Sequence, residues 1–167
     1  PLQPQSCYTV TKILGEELCR LYWHTYRLSY TVLRLFNTYG PGQGPGYFVS
    51  DQIERAKSGR LDMQGAGITK DWIHVADVAR AFVLAIEASN VGAVNIGSGI
   101  ETSLEDVGSQ IAKSAGVPFS SQPAATCTRM CADISRARHI LKWKPSVLLE
   151  DGLDCLARSS APIISGG

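Results

Sequence analysis

The chain has 167 residues, of which 44% are hydrophobic and 19% charged, and its formal net charge is +1 at pH 7. This length suits one domain with a substantial core, the composition excludes a wholly disordered chain, and the scattered lysines and arginines lack the basic field of a nucleic-acid-binding protein. No apolar run approaches the roughly 20 residues that span a bilayer, and the first residues do not resemble a signal peptide, so we predict a cytoplasmic protein without nucleic-acid or membrane partners.

The five cysteines are odd in number and irregularly spaced, which argues against a disulfide framework and favours reduced thiols. Cys127 and Cys131 lie four residues apart, but no second Cys or His pair stands at the spacing of a zinc site. We therefore expect no metal.

Helices and strands are predicted to alternate along the first half of the chain. Leu14, Leu18, Leu21 and Tyr22 recur at helical spacing, and Gly and Pro are absent from this stretch after Gly15. The patterns predict a helix over residues 8–26, a buried parallel strand over 30–36, a loop over 40–46, a helix over 48–58, and strands over 61–64 and 72–75.

The second half continues the alternation, which indicates an α/β layer structure. Asp77 is predicted to cap a helix with one apolar face, formed by Val78, Ala79, Phe82, Val83 and Ile86. Ser103 and Asp106 predict a capping box for a helix with an apolar stripe of Leu104, Val107, Ile111 and Ala115. The remaining predicted elements are a strand over 91–96, helices over 135–141 and 149–157, and a disordered tail over 159–167 that follows a domain of residues 1–158.

Tyr8 and Lys12 place a phenol and an ammonium at i and i+4 on one face of the first helix. A free tyrosine has a pKa of about 10, and a neighbouring positive charge favours the phenolate form, which brings the group closer to physiological pH. Such a phenol can take a proton from a sugar hydroxyl while hydride leaves the same carbon for a nicotinamide ring. Taken alone, this spacing is more often an ordinary pair on a helix surface.

Further motifs follow the Tyr-x-x-x-Lys pair in a fixed order. They are RLFNTYGPGQ at 34–43, TKDWIHVADVA at 69–79, VNIGSG at 94–99, ADIS at 132–135 and KWKP at 142–145. Together they resemble the extended short-chain dehydrogenase/reductase family, and more closely its NAD-dependent epimerase/dehydratase branch, which acts on nucleotide-linked sugars. The resemblance covers nearly the whole chain and implies the C-terminal part of a doubly wound, Rossmann-like parallel sheet together with a small substrate-binding subdomain.

The resemblance also implies roles for particular residues. Tyr8 matches the catalytic acid/base, and Lys12 matches its partner, which also holds the nicotinamide ribose of NAD. Phe36 matches a cofactor-binding position and Asn37 a substrate-binding position at the end of a central strand. Arg129 matches an arginine that binds the substrate diphosphate, a role that suits the five donors of a guanidinium.

Two departures from the family pattern stand out. Lys70 occupies a position where the family has arginine, and its point charge weakens the expected diphosphate contact because it lacks a bidentate fork. The glycine-rich turn that would cradle the cofactor pyrophosphate is not found before Tyr8, and the upstream Ser or Thr of the catalytic set is also missing, so we expect an N-terminal half supplied elsewhere. The glycines of residues 40–46 are not expected to replace that turn.

The sequence thus predicts an NAD-dependent isomerase or lyase that oxidises a sugar hydroxyl of a nucleotide-diphosphate sugar, most simply a UDP-sugar 4-epimerase. Two alternatives stay open: a non-catalytic remnant that binds a nucleotide sugar or a partner subunit, and a nucleotide-sugar reductase or decarboxylase. A homodimer through the first helix is also expected from the resemblance. The other aromatic and imidazole groups are predicted to pack or to lie at the surface, namely His24, His74, His139, Trp23, Trp72 and Trp143.

Overall fold

The computed structural model describes residues 6–88 and 91–159. In chain order its elements are α1 (Cys7–Tyr26), β1 (Thr31–Leu35), β2 (Asn37–Tyr39), α2 (Phe48–Ala56), β3 (Leu61–Ala66), β4 (Thr69–His74), α3 (Val75–Glu87), β5 (Gly92–Ile96), β6 (Glu101–Ser103), α4 (Leu104–Ala115), β7 (Phe119–Pro123), α5 (Ser135–Ile140) and α6 (Leu149–Ser159). Among these helices, none is long and apolar enough to cross a membrane. The predicted tail, apart from Ser159, lies outside the described residues.

Helix α1 begins one residue before its predicted start, and Ser6 is its N-cap residue. The Ser6 hydroxyl accepts a hydrogen bond from the Thr9 backbone N–H at 3.2 Å, and the helix ends at Arg27, which has a left-handed φ of 56°. Arg34 of β1 holds the helix through two contacts with Glu16, of 2.8 and 2.6 Å. Within the described chain α1 buries no residue, and its leucines face solvent.

Parallel pairs dominate the strands, as an α/β fold requires. Strand β1 pairs with β5 in parallel register, Leu33 opposite Val94. Strand β4 lies between β2, its parallel neighbour, and β6, its antiparallel neighbour, while β3 and β7 form a further parallel pair. The predicted α/β class is therefore confirmed. The three shortest or most polar strands, β2, β6 and β7, were not predicted.

Two hydrophobic cores flank β4. Trp72 belongs to the first core, which α2, α4 and α6 build, and the adjacent Ile73 belongs to the second core with residues of α3, β5 and α5. Successive side chains of a strand point to opposite faces, so this one strand supplies both cores. The largest fully buried members are Tyr39, Leu61, Ile111 and Leu153 in the first core, and Ile73, Val94, Ile96 and Trp143 in the second.

The start of α3 differs from the prediction. His74, and not Asp77, is the N-cap residue, and its Nδ1 accepts the Ala76 N–H at 3.2 Å. Asp77 is instead buried inside the first turn, where its carboxylate accepts hydrogen bonds from the backbone N–H groups of Ser146 and Val147 at 3.0 Å each. The buried carboxylate therefore fastens the segment before α6 to α3, and the Trp143 indole adds a bond of 3.0 Å to the Asp77 carbonyl.

The apolar face predicted for α3 is only partly correct. Val78 is buried as predicted, but Phe82, Val83 and Ile86 are exposed, and Ala81 takes the buried position instead. In α4 the serine half of the predicted capping box is confirmed, since the Ser103 hydroxyl accepts the Asp106 N–H at 2.9 Å. The Asp106 carboxylate accepts a hydrogen bond from the Ser103 hydroxyl at 2.6 Å. The stripe of α4 is confirmed at Val107 and Ile111 but not at Ala115, which is exposed.

Most of the remaining packing predictions are confirmed. Trp72 and Trp143 are buried, whereas Trp23 is half-buried on α1. His24 and His139 are exposed. All five cysteines lie in the described ranges and are free thiols.

Two helical glycines have opposite surroundings, which gives a paired stability prediction. A Cβ at Gly152 in α6 would lie 3.0 Å from the ring of the buried Tyr39, whereas a Cβ at Gly15 in α1 would meet nothing within 4 Å among the described residues. We expect Gly15→Ala to raise the free energy of unfolding by about 0.5–1 kcal/mol. Gly152→Ala should lower it by about 1–2 kcal/mol, because overpacking outweighs the gain in helix propensity. Urea denaturation measures both changes, and stabilisation by both would contradict the packing of Tyr39.

Candidate functional site

A pocket beside the predicted catalytic residues lies where α1, β1, β2 and α2 meet. Its volume is about 890 Å³, and it is lined by Tyr8, by residues 35–44, by the start of α2, and by Trp72, Val75 and Met130. Gly40 begins the loop that lines the pocket, and it lies beside Val75. A Cβ added to this glycine would be 3.0 Å from the Val75 Cβ. A side chain at this position would therefore push the loop away from α3.

Tyr8 lies at the edge of this pocket with its side chain accessible. The residue is 70% exposed, and its ring lies beneath the Lys12 ammonium, whose Nζ is 5.0 Å from the ring centroid. The i, i+4 spacing on α1 therefore does bring the phenol and the cation together.

Phe36 and Asn37 also line the pocket, at the junction of β1 and β2. The Phe36 backbone N–H donates to the Ile96 carbonyl at 2.9 Å, which continues the β1–β5 pairing to the end of the strand. The Asn37 amide donates to the Asp71 backbone carbonyl at 3.0 Å, and its nitrogen lies 3.8 Å from the Met130 sulfur. The structure thus brings Tyr8, Phe36 and Asn37 around one pocket, with Lys12 beside Tyr8.

Aromatic side chains line the pocket on the side of the first core. The rings of Phe48 and Trp72 are 5.6 Å apart between centroids, and Tyr39 meets His74 edge to face at 5.3 Å. Burial, reinforced by the nearby carboxylates of Asp77 and Asp151, raises the pKa of Tyr39 well above its usual range, so this tyrosine stays neutral. His74 packs and caps α3, as the packing prediction expects.

Lys70 and Arg129 lie outside the lining of this pocket. Lys70 is half-buried on β4 opposite Thr102 of β6. Arg129 is 79% exposed and forms a bidentate ion pair with Glu101, with both N–O distances 2.7 Å. Met130, the next residue after Arg129, does line the pocket, so the arginine is a neighbour of the site.

The Glu101 carboxylate is held in its ionised form. Hydrogen bonds from Arg129 and then from the Thr69 hydroxyl lower its pKa from its ordinary 4.5 to about 2. A carboxyl whose pKa is lowered in the folded state contributes stability above its ordinary pKa, and it loses that contribution as the pH falls towards the lowered value. The ion pair is therefore intact at neutral pH and is lost only between about pH 4.5 and 2.

Asp71 joins three segments beneath the site. The carboxylate is fully buried, and Oδ1 accepts hydrogen bonds from the backbone N–H of Ser98 at 2.6 Å and from its hydroxyl at 2.8 Å. Oδ2 accepts hydrogen bonds from the backbone N–H groups of Gly99 at 2.8 Å and Ala132 at 3.0 Å. Asp71 therefore fixes the loop after β5 and the segment that carries Arg129 and Met130.

Reasoning from the sequence did not assign Asp71, Glu101 or Met130 to the site. Asp71 lies inside the TKDWIHVADVA motif, so the motif contained the signal for it. Glu101 and Met130 have no local signal, because their contacts join segments 28 and 93 residues apart. Trp72 was predicted only as a packing residue, yet it also lines the pocket.

The fold and the site together define an α/β protein with Rossmann-like parallel strands. A sequence profile of the NAD dependent epimerase/dehydratase family matches residues 1–97, and the chain belongs to this family. The resemblance inferred from the motifs is thereby confirmed.

The relatives that match this chain are named for different enzymatic activities. The chain is 30% identical over 164 residues to a UDP-glucose 4-epimerase of Mycolicibacterium smegmatis, in an alignment that covers 92% of this chain and 52% of the relative. It is likewise 30% identical over 162 residues to UDP-glucuronic acid decarboxylase 1 of Xenopus tropicalis, with 92% of this chain and 38% of the relative covered. The chain thus spans about half the length, or less, of these curated relatives.

A solved structure agrees with the fold of the chain. The UDP-glucuronic acid 4-epimerase of Bacillus cereus, in complex with UDP-glucuronic acid and NAD, matches with a TM-score of 0.83 and 30% identity. The match covers 96% of this chain and 54% of that enzyme. The predicted α/β, Rossmann-like fold is therefore confirmed over nearly the whole chain.

Proposed function

We propose that the chain is the catalytic and substrate-binding part of an NAD-dependent enzyme that modifies a nucleotide-diphosphate sugar, with UDP-sugar 4-epimerisation as its reaction. The position of Tyr8 supports this most directly. Its phenol is accessible at a pocket of about 890 Å³, which Asn37 also lines, and it lies next to the Lys12 ammonium. That volume is within the range of small-molecule sites.

Tyr8 acts as the acid/base in this proposal. Oxidation of a sugar carbinol breaks one O–H and one C–H bond, and the phenolate oxygen of Tyr8 takes the hydroxyl proton while the carbon becomes a ketone. Lys12 stabilises the negative charge on that oxygen. In the reverse step Tyr8 returns the proton to the reduced carbonyl oxygen, and delivery of hydride to the opposite face of the sugar gives the epimer.

The residues around Tyr8 suit the nicotinamide end of NAD. NAD, when bound, takes hydride from the sugar carbon and gives it back. Phe36 offers an apolar surface, and the accessible ammonium of Lys12 offers donors for a ribose hydroxyl. Asn37, Lys70 and Arg129 are assigned to the sugar nucleotide, with Arg129 on the diphosphate because its planar group matches phosphate oxygens.

A decarboxylase would use the same oxidation as its first step, and a reductase would use the Tyr8 proton transfer in the reverse direction, from the phenol to a carbonyl oxygen. An epimerase returns hydride to the sugar and produces no net NADH, whereas a reductase accumulates an oxidised or reduced cofactor. A decarboxylase releases carbon dioxide from a UDP-uronic acid. The relatives of similar identity include both epimerases and a decarboxylase, so product analysis with UDP-glucose and UDP-glucuronic acid decides among these activities.

Calorimetric titration of the 167-residue chain with NAD and, separately, with UDP-glucose tests the proposal. Binding of both ligands, with conversion of UDP-glucose to UDP-galactose and no net NADH, would support the proposal and show that the N-terminal half expected from the sequence is not required. A folded chain that binds UDP-glucose without any conversion would favour the non-catalytic alternative. A folded chain that binds neither ligand would overturn the proposal for this chain alone and require an N-terminal half for the site. The cytoplasmic location and the homodimer stay predictions from the sequence.

A further inference from the structure

Glu101 lies at the centre of a hydrogen-bonded cluster with Thr69 and Arg129. Thr69 is the first residue of β4, and Glu101 is the first residue of β6. The Thr69 hydroxyl donates to Glu101 Oε1, and Arg129 donates to Glu101 Oε1 and Oε2 through Nε and Nη2 at 2.7 Å each. Glu101 is 23% exposed at its side chain and Arg129 79%, so the carboxylate is the shielded member of the pair. A bidentate arginine pair fixes the plane of the guanidinium as well as its position.

The backbone that carries Arg129 is also fastened on both sides. The Thr69 N–H donates to the Thr128 carbonyl at 2.9 Å, and the Ala132 N–H donates to the buried Asp71 carboxylate at 3.0 Å. Thr69 and Asp71 both belong to β4. Strand β4 thus holds the backbone of the segment at residues 128 and 132. Glu101 of the neighbouring strand β6 holds the Arg129 side chain between these two points.

This arrangement leaves part of the guanidinium available. Arginine has five N–H donors, and the Glu101 pair uses two of them, so three remain on the side away from the carboxylate. Both carboxylate oxygens are engaged by Arg129 and one also by Thr69, which offsets the repulsion that a free carboxylate would exert on phosphate. Arg129 is next in sequence to Met130 of the pocket lining.

We propose that Glu101 is a positioning residue, which holds the Arg129 guanidinium so that its remaining donors receive the diphosphate of a sugar nucleotide. The inference rests on the proposed function, because it assumes that Arg129 binds the substrate diphosphate. It assigns to Glu101 an effect on phosphate recognition alone. Affinity for the nucleoside part of the ligand should not depend on Glu101.

The experiment compares UDP with uridine, which lacks phosphate, in titrations of the full chain. We expect Glu101→Gln to weaken UDP binding on the order of tenfold and to leave uridine binding unchanged, because the neutral amide cannot form the bidentate ion pair. Glu105→Gln is the matched control: it removes the same charge four residues further along, at the start of α4, and should leave both affinities unchanged.

A double-mutant cycle separates positioning from a general structural effect. If Glu101 acts through Arg129, then Glu101→Gln should cause no further loss of UDP affinity in an Arg129→Ala chain. A further loss of UDP affinity in the Arg129→Ala chain would overturn the inference, and so would an equal loss of uridine affinity in the Glu101→Gln chain. Tighter UDP binding by Glu101→Gln would overturn it as well, because Glu101 would then sequester Arg129. An unaltered chain that binds neither UDP nor uridine would instead contradict the proposed function. Binding of UDP with equal affinity by the unaltered and Glu101→Gln chains would contradict only the role of Glu101.

Discussion

Tyr8→Phe is expected to reduce conversion of UDP-glucose by about 10²-fold to 10⁴-fold, the range that positioned acid/base groups contribute. Phenylalanine keeps the ring beneath Lys12 and the shape of the pocket edge, but it removes the only group on that ring that can accept and return a proton. Calorimetry should therefore show unchanged affinities for NAD and UDP-glucose, while the rate of product formation falls. The loss should appear in kcat, because the missing proton transfer belongs to the chemical step.

Tyr26→Phe provides a matched control on the same helix. Tyr26 is 69% exposed, close to the 70% of Tyr8, and its ring packs near that of Tyr22, outside the pocket lining. This variant should convert UDP-glucose at the unaltered rate. A Tyr8→Phe chain that retains more than about a tenth of the unaltered rate would contradict the role of Tyr8 as acid/base.

Asp71→Asn is expected to cause the largest loss of stability, of about 2–5 kcal/mol in the free energy of unfolding. Each carboxylate oxygen accepts two hydrogen bonds in a fully buried position. An amide nitrogen in place of Oδ2 faces two backbone N–H donors, and one in place of Oδ1 faces the backbone N–H of Ser98. A buried donor left without an acceptor costs about 1–3 kcal/mol. A domain of ordinary stability, about 5–15 kcal/mol, would lose a large fraction of it.

Urea denaturation followed by circular dichroism measures this loss. Asp62→Asn is the control, since Asp62 is also a strand carboxylate but is exposed, with Arg60 and Ser120 as its partners. Its midpoint of denaturation should hardly move, because exposed pairs contribute little. If Asp71→Asn shifted the midpoint no more than Asp62→Asn, the hydrogen bonds to Asp71 would not carry the stability assigned to them.

Sequence reasoning succeeded where local patterns decide the structure. The helical spacing of leucines and the Ser103 cap are short-range signals, and α1 and α4 formed as predicted. The burial of α3 was less accurate, because Phe82, Val83 and Ile86 satisfy helical periodicity without a core to receive them in the described chain. Apolar periodicity predicts the helix, but the neighbouring elements decide which face is buried.

Only those parts of the site whose residues lie within one sequence motif were predictable from the sequence. Tyr8 and Lys12 lie one helical turn apart, and Phe36 and Asn37 are adjacent, so their grouping follows from local geometry. The contacts of Glu101 with Arg129 and of Asp71 with Ala132 join residues 28 and 61 positions apart. Strands β2 and β6 have three residues each, and β7 has the polar sequence FSSQP, so these elements depend on their partner strands.

Strand β4 connects the two hydrophobic cores through its two faces. Trp72 and Ile73 enter different cores, and Asp71 between Lys70 and Trp72 anchors the segment beside the pocket. A slip of β4 by one residue would exchange its faces and displace all of these contacts together. We therefore expect a substitution in either core that displaces β4 to disturb the packing of the other core as well.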